Sequence, residues 1–178
     1  MPTPERTSYT EIVAVGRDLL EDSGLAGLTM QRVAERVGVR APSLYKRIRD
    51  RDALVEAVAA ATVDDLTGRL EASDRSLEGL VRAYRALAHE RPEGFRLMFA
   101  AAAPQEVLDR AGLTIVDSAA ALAGAAHALD AARLVTAWAT GFIHMELAGA
   151  FRLGGDVEAA FEFGLAAIRR GIESAPAV

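Results

Sequence analysis

The sequence predicts an all-α protein of about nine helices. Apolar residues recur three or four positions apart in every long segment, and no window shows the sustained alternation with β-branched residues that indicates a strand. The chain has 178 residues, of which 51% are hydrophobic and 25% are charged, and it has no cysteine. These values exclude a disordered chain and a disulfide scaffold, and they predict one or two globular domains in the cytoplasm.

Capping and turn residues set the predicted helix boundaries. Gly24 favours the end of the first helix, and Thr29 is a good N-cap for the second, which Gly38 ends. Pro42 is tolerated in the first turn of the third helix, and Asp50 is an N-cap candidate for the fourth. Proline and glycine pairs separate the later segments. The predicted helices are Glu5–Asp22, Thr29–Val37, Ala41–Ile48, Asp50–Leu70, Ser76–Glu90, Pro92–Ala102, Pro104–Ala126, Asp130–Arg152 and Asp156–Ser174.

No segment predicts secretion or a membrane span. The first residues lack the basic segment and apolar run of a signal peptide. The most apolar long window, Ala131 to Phe151, contains Arg133, His144 and Glu146, which are costly at the centre of a bilayer. We therefore expect this window to form a buried or interfacial helix.

Two of the short helices, Thr29–Val37 and Ala41–Ile48, have the spacing of a helix-turn-helix. Gly38 tolerates a positive φ in the turn between them, and Leu44 and Ile48 lie four apart on one helix face, toward the core. Polar and basic residues are left on the opposite face. A generic helical hairpin would also explain this apolar pattern.

Charge is distributed unevenly along the chain. The net charge is −5, yet Arg32 to Arg51 contains seven basic and two acidic residues, a local charge of +5. A basic patch on an acidic protein suits a polyanionic partner. A solvated helix surface is the alternative interpretation of the same charges.

The run from Leu28 to Leu54, LTMQRVAERVGVRAPSLYKRIRDRDAL, resembles the DNA-binding signature of the TetR/AcrR-type bacterial transcriptional regulators. The likeness rests on a Thr-capped second helix, the V-A-x-x-V-G-V turn, the L-Y motif and the charged start of the fourth helix. The resemblance implies phosphate contacts through Thr29, Tyr45 and Arg51, the last standing where the family usually has lysine.

The same resemblance places a small set of side chains in the major groove, where Arg and Lys read guanine and small apolar groups touch thymine methyls. Arg47 and Ile48 replace the family's usual His-Phe pair, so we expect Arg47 to strengthen phosphate binding. The expected DNA-binding residues are Thr29, Gln31, Arg40, Ala41, Pro42, Ser43, Tyr45, Lys46, Arg47 and Arg51.

Residues 92–99 and 138–147 resemble the WHG-type C-terminal domain of one branch of this family, which implies dimerisation and effector binding. Thr140 stands where the naming histidine would precede Gly141, so no role is transferred from that histidine. Large apolar residues here suit an effector pocket, although an ordinary core has the same spacing. The candidate ligand-binding residues are Tyr84, Phe95, Met98, Phe99, Trp138, Phe142 and Met145.

The last two predicted helices carry more apolar surface than one neighbour covers. We expect them to pair with a second copy across a two-fold axis, with burial inside the monomer as the alternative. Such a homodimer presents two recognition helices about 34–36 Å apart to a palindromic operator. The candidate interface residues are Phe151, Ala160, Phe161, Gly164, Leu165 and Ile168.

Catalytic and metal-binding constellations are not evident. The chain has three histidines and no cysteine, and it has no glycine-rich phosphate loop. His144 and Glu146 lie two positions apart, on different faces of a helix, which does not suit a shared metal ion. We therefore predict no catalytic residue, no metal, no cofactor and no enzymatic activity.

Together these observations predict a ligand-responsive transcriptional repressor that binds its operator as a homodimer. Residues 1–51 would form the helix-turn-helix DNA-binding domain, and residues 52–178 the ligand-binding and dimerisation domain. The alternatives are a transcriptional activator of the same fold, a non-specific DNA-binding protein and a small-molecule enzyme.

Overall fold

A computed structural model describes residues 7–100 and 103–174. Across these two ranges the chain forms nine helices and no strand, which confirms the predicted all-α fold. The helices are α1 (Tyr9–Gly27), α2 (Met30–Val37), α3 (Ala41–Leu44), α4 (Arg51–Ala72), α5 (Leu77–Glu90), α6 (Pro92–Met98), α7 (Gln105–Ala123), α8 (Ala128–Leu147) and α9 (Val157–Glu173).

The helix caps show why local sequence predicts most boundaries. Ser8 accepts a hydrogen bond from the Glu11 amide at the start of α1, and Asp50 accepts one from the Ala53 amide at the start of α4. Asp156 caps α9 by accepting from the Glu158 amide. The predicted start of the first helix at residues 5 and 6 lies outside the described residues.

The third, seventh and eighth helices end earlier in the structure than the sequence predicts. The third ends at Leu44 instead of Ile48, because the Arg47 amide donates to the Leu44 carbonyl and tightens the backbone into a turn. The seventh ends at Ala123, where Gly124 follows with a φ of 76°. The eighth ends at Leu147, where Gly149 has a φ of 61° and the next amide, that of Ala150, bonds back to Met145.

The ends of the first and sixth helices also differ from the prediction. The first helix continues to Gly27, with a kink at Gly24, whose φ of 64° and ψ of −178° are not helical. The sixth ends at Met98, because the Phe99 amide bonds to the Arg96 carbonyl in a tighter turn. The predicted end of that helix, residues 101–102, lies outside the described residues.

The chain divides into two compact units. Unit 1 comprises the described residues up to Asp65 and those from Arg91 to Leu108, and unit 2 comprises Leu66 to Glu90 and the described residues from Asp109 onward. The core of unit 1 joins buried residues of α1, α2, α3 and the first half of α4 with Leu97 of α6. The core of unit 2 joins α5, α7, α8 and α9 around Phe161.

Among the described residues, no single helix is both long and apolar enough to span a membrane. Helices α7 and α8 meet the length and hydropathy test only as a pair, and they are bent by 115° at the break between them.

Candidate nucleic-acid interface

The turn between α2 and α3 is built by two local devices. The Thr29 hydroxyl accepts a hydrogen bond of 3.3 Å from the Arg32 amide and so begins α2. Gly38 ends α2 in the left-handed conformation with a φ of 81°, and the Val39 amide donates to the Ala34 carbonyl at 2.9 Å. The backbone therefore reverses direction while the amides of Gly38 and Val39 remain hydrogen-bonded to carbonyls of α2.

Buried apolar residues determine which face of the motif is open. Val33 and Ala34 of α2 lie in the core of unit 1 together with Leu44 and Ile48. Their burial fixes the rotation of both short segments, so the residues on the opposite face project away from the core. This arrangement agrees with the sequence-based interpretation of the motif.

The structure exposes most of the predicted DNA-binding residues. Thr29 and Ala41 are half-buried, whereas the other members of the set are exposed. Tyr45 has half of its surface exposed, which leaves its aromatic ring accessible at the edge of α3. The Gln31 amide group donates to the Glu35 carboxylate at 3.0 Å. The exposed members of the predicted set are Gln31, Arg40, Pro42, Ser43, Tyr45, Lys46, Arg47 and Arg51.

The basic patch separates into paired and unpaired cations. Arg36 forms an ion pair with Asp22, and Arg49 forms one with Asp50, both at 2.7 Å. Within residues 7–100 and 103–174, the structure records no ion-pair partner for the remaining cations of the α3 face, which are Arg40, Lys46 and Arg47. The positive charge available to a polyanion is therefore concentrated on α3 and the turn that follows it.

Arg51 has a structural role that sequence reasoning missed. Its guanidinium group donates to the carbonyls of Leu28 and Leu25, at 2.9 and 2.6 Å. Arg32 likewise donates to the Gly27 carbonyl and the Ser23 hydroxyl. These bonds satisfy carbonyls at the kinked end of α1, directly before the α2 N-cap. Basic residues favour helix C-termini in general, but this signal does not identify which distant arginine supplies the contact.

The predicted ligand-binding residues fall into both units. In unit 1, Phe95 and Met98 are buried, and the exposed Phe99 ring lies 5.4 Å from the Phe95 ring in an edge-on arrangement. In unit 2, the Tyr84 hydroxyl lies 3.0 Å from the Thr140 hydroxyl. Burial raises the pKa of Tyr84 to about 12, so its hydroxyl stays protonated at neutral pH.

Four aromatic residues of unit 2 form one packed cluster. The Trp138 ring stacks on Phe161 at 5.5 Å, and the Phe142 ring meets Phe161 at 5.4 Å and Phe151 at 4.8 Å. The cluster contains residues of two predicted sets. Trp138 and Phe142 were predicted to line the effector pocket, and Phe151 and Phe161 were predicted to lie in the dimer interface. Phe161 is buried in the core of unit 2, and Trp138 and Phe142 pack against that core while remaining partly exposed.

The predicted dimer interface needs correction at two positions. Phe161 and Leu165 have no exposed surface, so they are core residues and cannot bury further apolar surface against a second copy. Gly164 is half-buried, and a Cβ atom at this position would lie only 2.5 Å from the Trp138 ring. Ala160 is exposed, Phe151 and Ile168 are half-buried, and the neighbouring Phe163 is 72% exposed.

A charged network joins three helices of unit 2. Arg85 of α5 donates two hydrogen bonds to Glu146 of α8 and one to Glu158 of α9, and its guanidinium carbon lies 4.2 Å from the Phe161 ring centre. His89 lies 3.0 Å from Glu146. The hydrogen bonds from Arg85 lower the pKa of Glu146, which outweighs the opposing effect of burial.

Comparison with known proteins places the chain among bacterial regulators. Residues 12–58 match the family model described as "Bacterial regulatory proteins, tetR family", and residues 77–168 match "Tetracyclin repressor-like, C-terminal domain". The chain is 34% identical over 86 residues to the class A tetracycline repressor protein from transposon 1721 of Escherichia coli, covering 42% of this chain and 40% of that protein. The chain thus spans less than half of the length of the curated relatives it matches.

Solved structures extend the likeness to the whole fold. A protein of Streptomyces coelicolor A3(2), described as a possible TetR family transcriptional regulator, is 25% identical, with a TM-score of 0.73 over 94% of this chain and 99% of that one. A TetR variant of Acinetobacter baumannii AYE in complex with minocycline is 24% identical, with a TM-score of 0.70 over 94% and 97% of the two chains, and it supports the fold alone. Since the matched C-terminal model covers more than half of the chain, the chain belongs to the TetR family of bacterial regulatory proteins.

Proposed function

We propose that the protein is a transcriptional repressor that binds a palindromic operator as a homodimer and releases it when a small-molecule effector binds. The observation that carries the DNA-binding part is the α3 face, where Arg40, Lys46 and Arg47 are exposed and lack an ion-pair partner among the described residues. The buried residues Leu44 and Ile48 hold this face outward.

Two kinds of DNA contact follow from the positions of these side chains. Arg40 and Lys46 flank the short α3 helix and are suited to base edges in the major groove, with Ala41, Pro42 and Ser43 between them. Tyr45 and Arg47 are suited to phosphates, as is Thr29 at the start of α2, where the helix dipole favours an anion. Arg51 would act in this interface mainly by holding the end of α1 that precedes Thr29.

Exposed apolar side chains on the last two helices support the homodimer. Met145 of α8 is about half exposed and Phe163 of α9 is largely exposed, and Ala160 lies one turn before Phe163 on α9. Small and large apolar residues on adjacent helices favour close packing against a second copy. Residues 1–51 remain the proposed DNA-binding domain, and residues 52–178 the proposed ligand-binding and dimerisation domain.

Family membership supports an effector and a cytoplasmic location. One structural neighbour binds minocycline, and a small molecule that prefers one of two subunit conformations would lower operator affinity by its differential binding. A coupling free energy of about 1–3 kcal/mol, typical of allosteric proteins, changes affinity about 5–150-fold. The predicted absence of enzymatic activity remains part of this proposal.

The proposal is tested by binding of the purified protein to the DNA upstream of its own gene, with random DNA as control, at several salt concentrations. Tight binding that depends on a palindrome, with two subunits per site, supports a dimeric regulator. Equal binding to random DNA that falls steeply with salt indicates non-specific coating of phosphates and overturns the operator-specific function. A reporter gene behind the same DNA separates repression from activation.

A matched pair of variants tests the α3 face. Lys46→Gln removes an exposed cation of this face, whereas Arg75→Gln removes one from the exposed turn between α4 and α5. We expect Lys46→Gln to weaken operator binding at least tenfold, the equivalent of about 1.4 kcal/mol, and Arg75→Gln to leave it unchanged. Equal losses from both variants would show that net charge alone governs binding.

A further inference from the structure

One side chain of the α3 face differs chemically from every other cation of the chain. Of the 20 lysine and arginine residues, 19 are arginine, and Lys46 is the single lysine. An arginine guanidinium group stays protonated in proteins and does not act as a nucleophile at neutral pH, whereas the neutral form of a lysine amine attacks activated acyl groups. Lys46 therefore carries the only primary side-chain amine of this protein.

The structure leaves this amine accessible. Lys46 is exposed in the turn that follows α3, and the buried residues Leu44 and Ile48 anchor this turn on either side. In the part of the chain that the structure describes, no ion-pair partner is recorded for the Lys46 ammonium group. An acyl donor can therefore approach the nitrogen atom without displacing a bound carboxylate.

The charges near Lys46 favour an anionic acyl donor. Arg40 is the N-cap residue of α3, and Arg47 directly follows Lys46; both are exposed and without an ion-pair partner among the described residues. Positive charge that is not neutralised raises the local concentration of small anions. An acyl phosphate joins a reactive acyl group to a phosphate group, and arginine is well suited to bind phosphate oxygens.

We propose that Lys46 is an acylation site, at which a small acyl phosphate transfers its acyl group to the side-chain nitrogen and thereby weakens operator binding. The amine nitrogen forms a bond to the acyl carbon, the bond from that carbon to the phosphate oxygen breaks, inorganic phosphate leaves, and the amine proton passes to water. This regulation rests on the proposed DNA-binding function of the α3 face. It is distinct from the proposed effector, because it changes the DNA-binding surface itself.

Acylation changes the α3 face in two ways. The ammonium group of Lys46 becomes a neutral amide, so only Arg40 and Arg47 remain as unpaired cations of this face among the described residues. The amide nitrogen also keeps one hydrogen-bond donor in place of three, which weakens contacts with guanine or phosphate oxygens. An arginine at position 46 would supply the positive charge, but this reaction could not remove it.

The first experiment measures where acetyl phosphate reacts. Arg75→Lys places a reference amine in the exposed turn between α4 and α5 and keeps the charge of that position. Peptide mapping by mass spectrometry gives the initial acetylation rates at positions 46 and 75 of the same molecule, and phenyl acetate serves as a neutral acyl donor. We expect the ratio of the rate at Lys46 to the rate at position 75 to be at least about threefold higher with acetyl phosphate than with phenyl acetate.

An additional substitution tests the cause of this preference. Arg47→Gln removes the cation next to Lys46, so in combination with Arg75→Lys it should bring the two ratios closer together. The same ratio with both donors in the Arg75→Lys protein would overturn the proposed site, because Lys46 would then react only as any exposed lysine does.

The second experiment measures the effect of the acetyl group on DNA binding. Natural protein that is fully acetylated at Lys46 should bind its operator at least about tenfold more weakly, by the same factor as Lys46→Gln. The control is Lys46→Arg, whose operator affinity, whatever its value, should be the same before and after treatment with acetyl phosphate. Bound operator should also slow acetylation at position 46 but not at position 75 of the Arg75→Lys protein, because Lys46 then faces the DNA.

Two outcomes would overturn the regulatory role. One is an unchanged operator Kd after full acetylation of Lys46. The other is an equal loss of affinity in treated Lys46→Arg, which would assign the effect to other groups. If the untreated protein binds no upstream DNA, the proposed function fails and the regulation fails with it, whereas the donor preference still decides whether Lys46 is an acylation site.

Discussion

The guanidinium group of Arg85 meets the carboxylate of Glu146 through two parallel hydrogen bonds of 2.9 and 2.6 Å. Both side chains are largely buried, with 14% and 13% of their surfaces exposed. A third bond from Arg85 to Glu158 extends the contact from α8 to α9. One arginine of α5 thus holds two other helices of unit 2.

Removing Arg85 should destabilise the protein more than removing a similar arginine at the surface. Arg85→Gln leaves the carboxylate of Glu146 largely buried without its main partner, so we expect a loss of about 2–3 kcal/mol in the free energy of unfolding. The control is Arg82→Gln, because Arg82 makes the same bidentate contact with Glu162 but both groups are about half exposed. Its loss should be at most about 1 kcal/mol. Urea unfolding of both variants at pH 7 makes the comparison, and similar losses would contradict it.

The effect of Arg85→Gln should also depend on pH. Hydrogen bonds from Arg85 lower the pKa of Glu146. The stability from this contact is therefore present above the ordinary glutamate pKa of about 4.3 and is lost as pH falls through the lowered value. We expect the difference in unfolding free energy between the natural protein and Arg85→Gln to shrink from pH 5 to pH 3. A difference that stays constant over this range would show that packing, and not the ion pair, explains the loss.

Two glycines of α9 should respond in opposite directions to alanine. A Cβ atom at Gly164 would lie 2.5 Å from the Trp138 ring, whereas one at Gly171 meets no atom within 4 Å. We expect Gly164→Ala to destabilise the protein by about 1–3 kcal/mol through overpacking. Gly171→Ala should stabilise it by up to about 1 kcal/mol through helix propensity. Thermal unfolding of the two variants measures both effects, and a stabilised Gly164→Ala protein would show that Trp138 moves aside freely.

A side chain at the turn glycine of the DNA-binding motif should destabilise the protein, although the space around this glycine is open. Gly38 has a φ of 81°, and no atom lies within 4 Å of a Cβ built there. Backbone strain alone should therefore cost about 1–2 kcal/mol in Gly38→Ala. The matched variant is Gly68→Ala in α4, which is equally open and has helical backbone angles, and it should be neutral or stabilising. Chemical denaturation distinguishes them, and equal stability would refute the strain argument.

Base-reading and phosphate-binding residues should differ in their effect on sequence preference. Tyr45→Phe should weaken binding to all DNA sequences alike, because in the proposed interface it removes a hydroxyl that contacts the DNA backbone. Arg40→Ala should change the preferred base at one position of each half-site, at a cost of about 1–3 kcal/mol for the natural base. Selection from a randomised operator library measures both effects. Uniform weakening by both variants would contradict a base-reading role for Arg40.

Local sequence signals account for the parts of this fold that were predicted. The hydrogen bonds at Thr29 and around Gly38 join residues only three to five positions apart. A short stretch of sequence is therefore enough to predict them. The early end of α3 was not predicted, because helix and turn differ there only in whether the Arg47 amide bonds three or four residues back.

The structural features that the sequence did not predict depend on contacts between distant segments of the chain. The bonds from Arg51 to Leu25 and Leu28 join residues more than 20 positions apart, and nothing in residue spacing indicates them. The burial of Phe161 could not be predicted fully for a similar reason. Helical periodicity indicates that Phe161 faces apolar side chains, but it does not indicate whether these belong to the same chain or to a second copy. The structure assigns it to its own chain, where Trp138 and Phe142 cover it.

The division of the chain into units has a consequence for building hybrid regulators. Unit 1 is assembled from two separate stretches, one ending at Asp65 and one running from Arg91 to Leu108, and the second contributes Leu97 to the common core. A chimaera with a single junction after Asp65 would combine α1 of one parent with the returning segment of another. The Glu21 carboxylate of α1 accepts hydrogen bonds from the amides of Glu93 and Gly94, so this contact would then join segments from different parents. A reading module that can be transplanted between relatives therefore needs both stretches from the same parent.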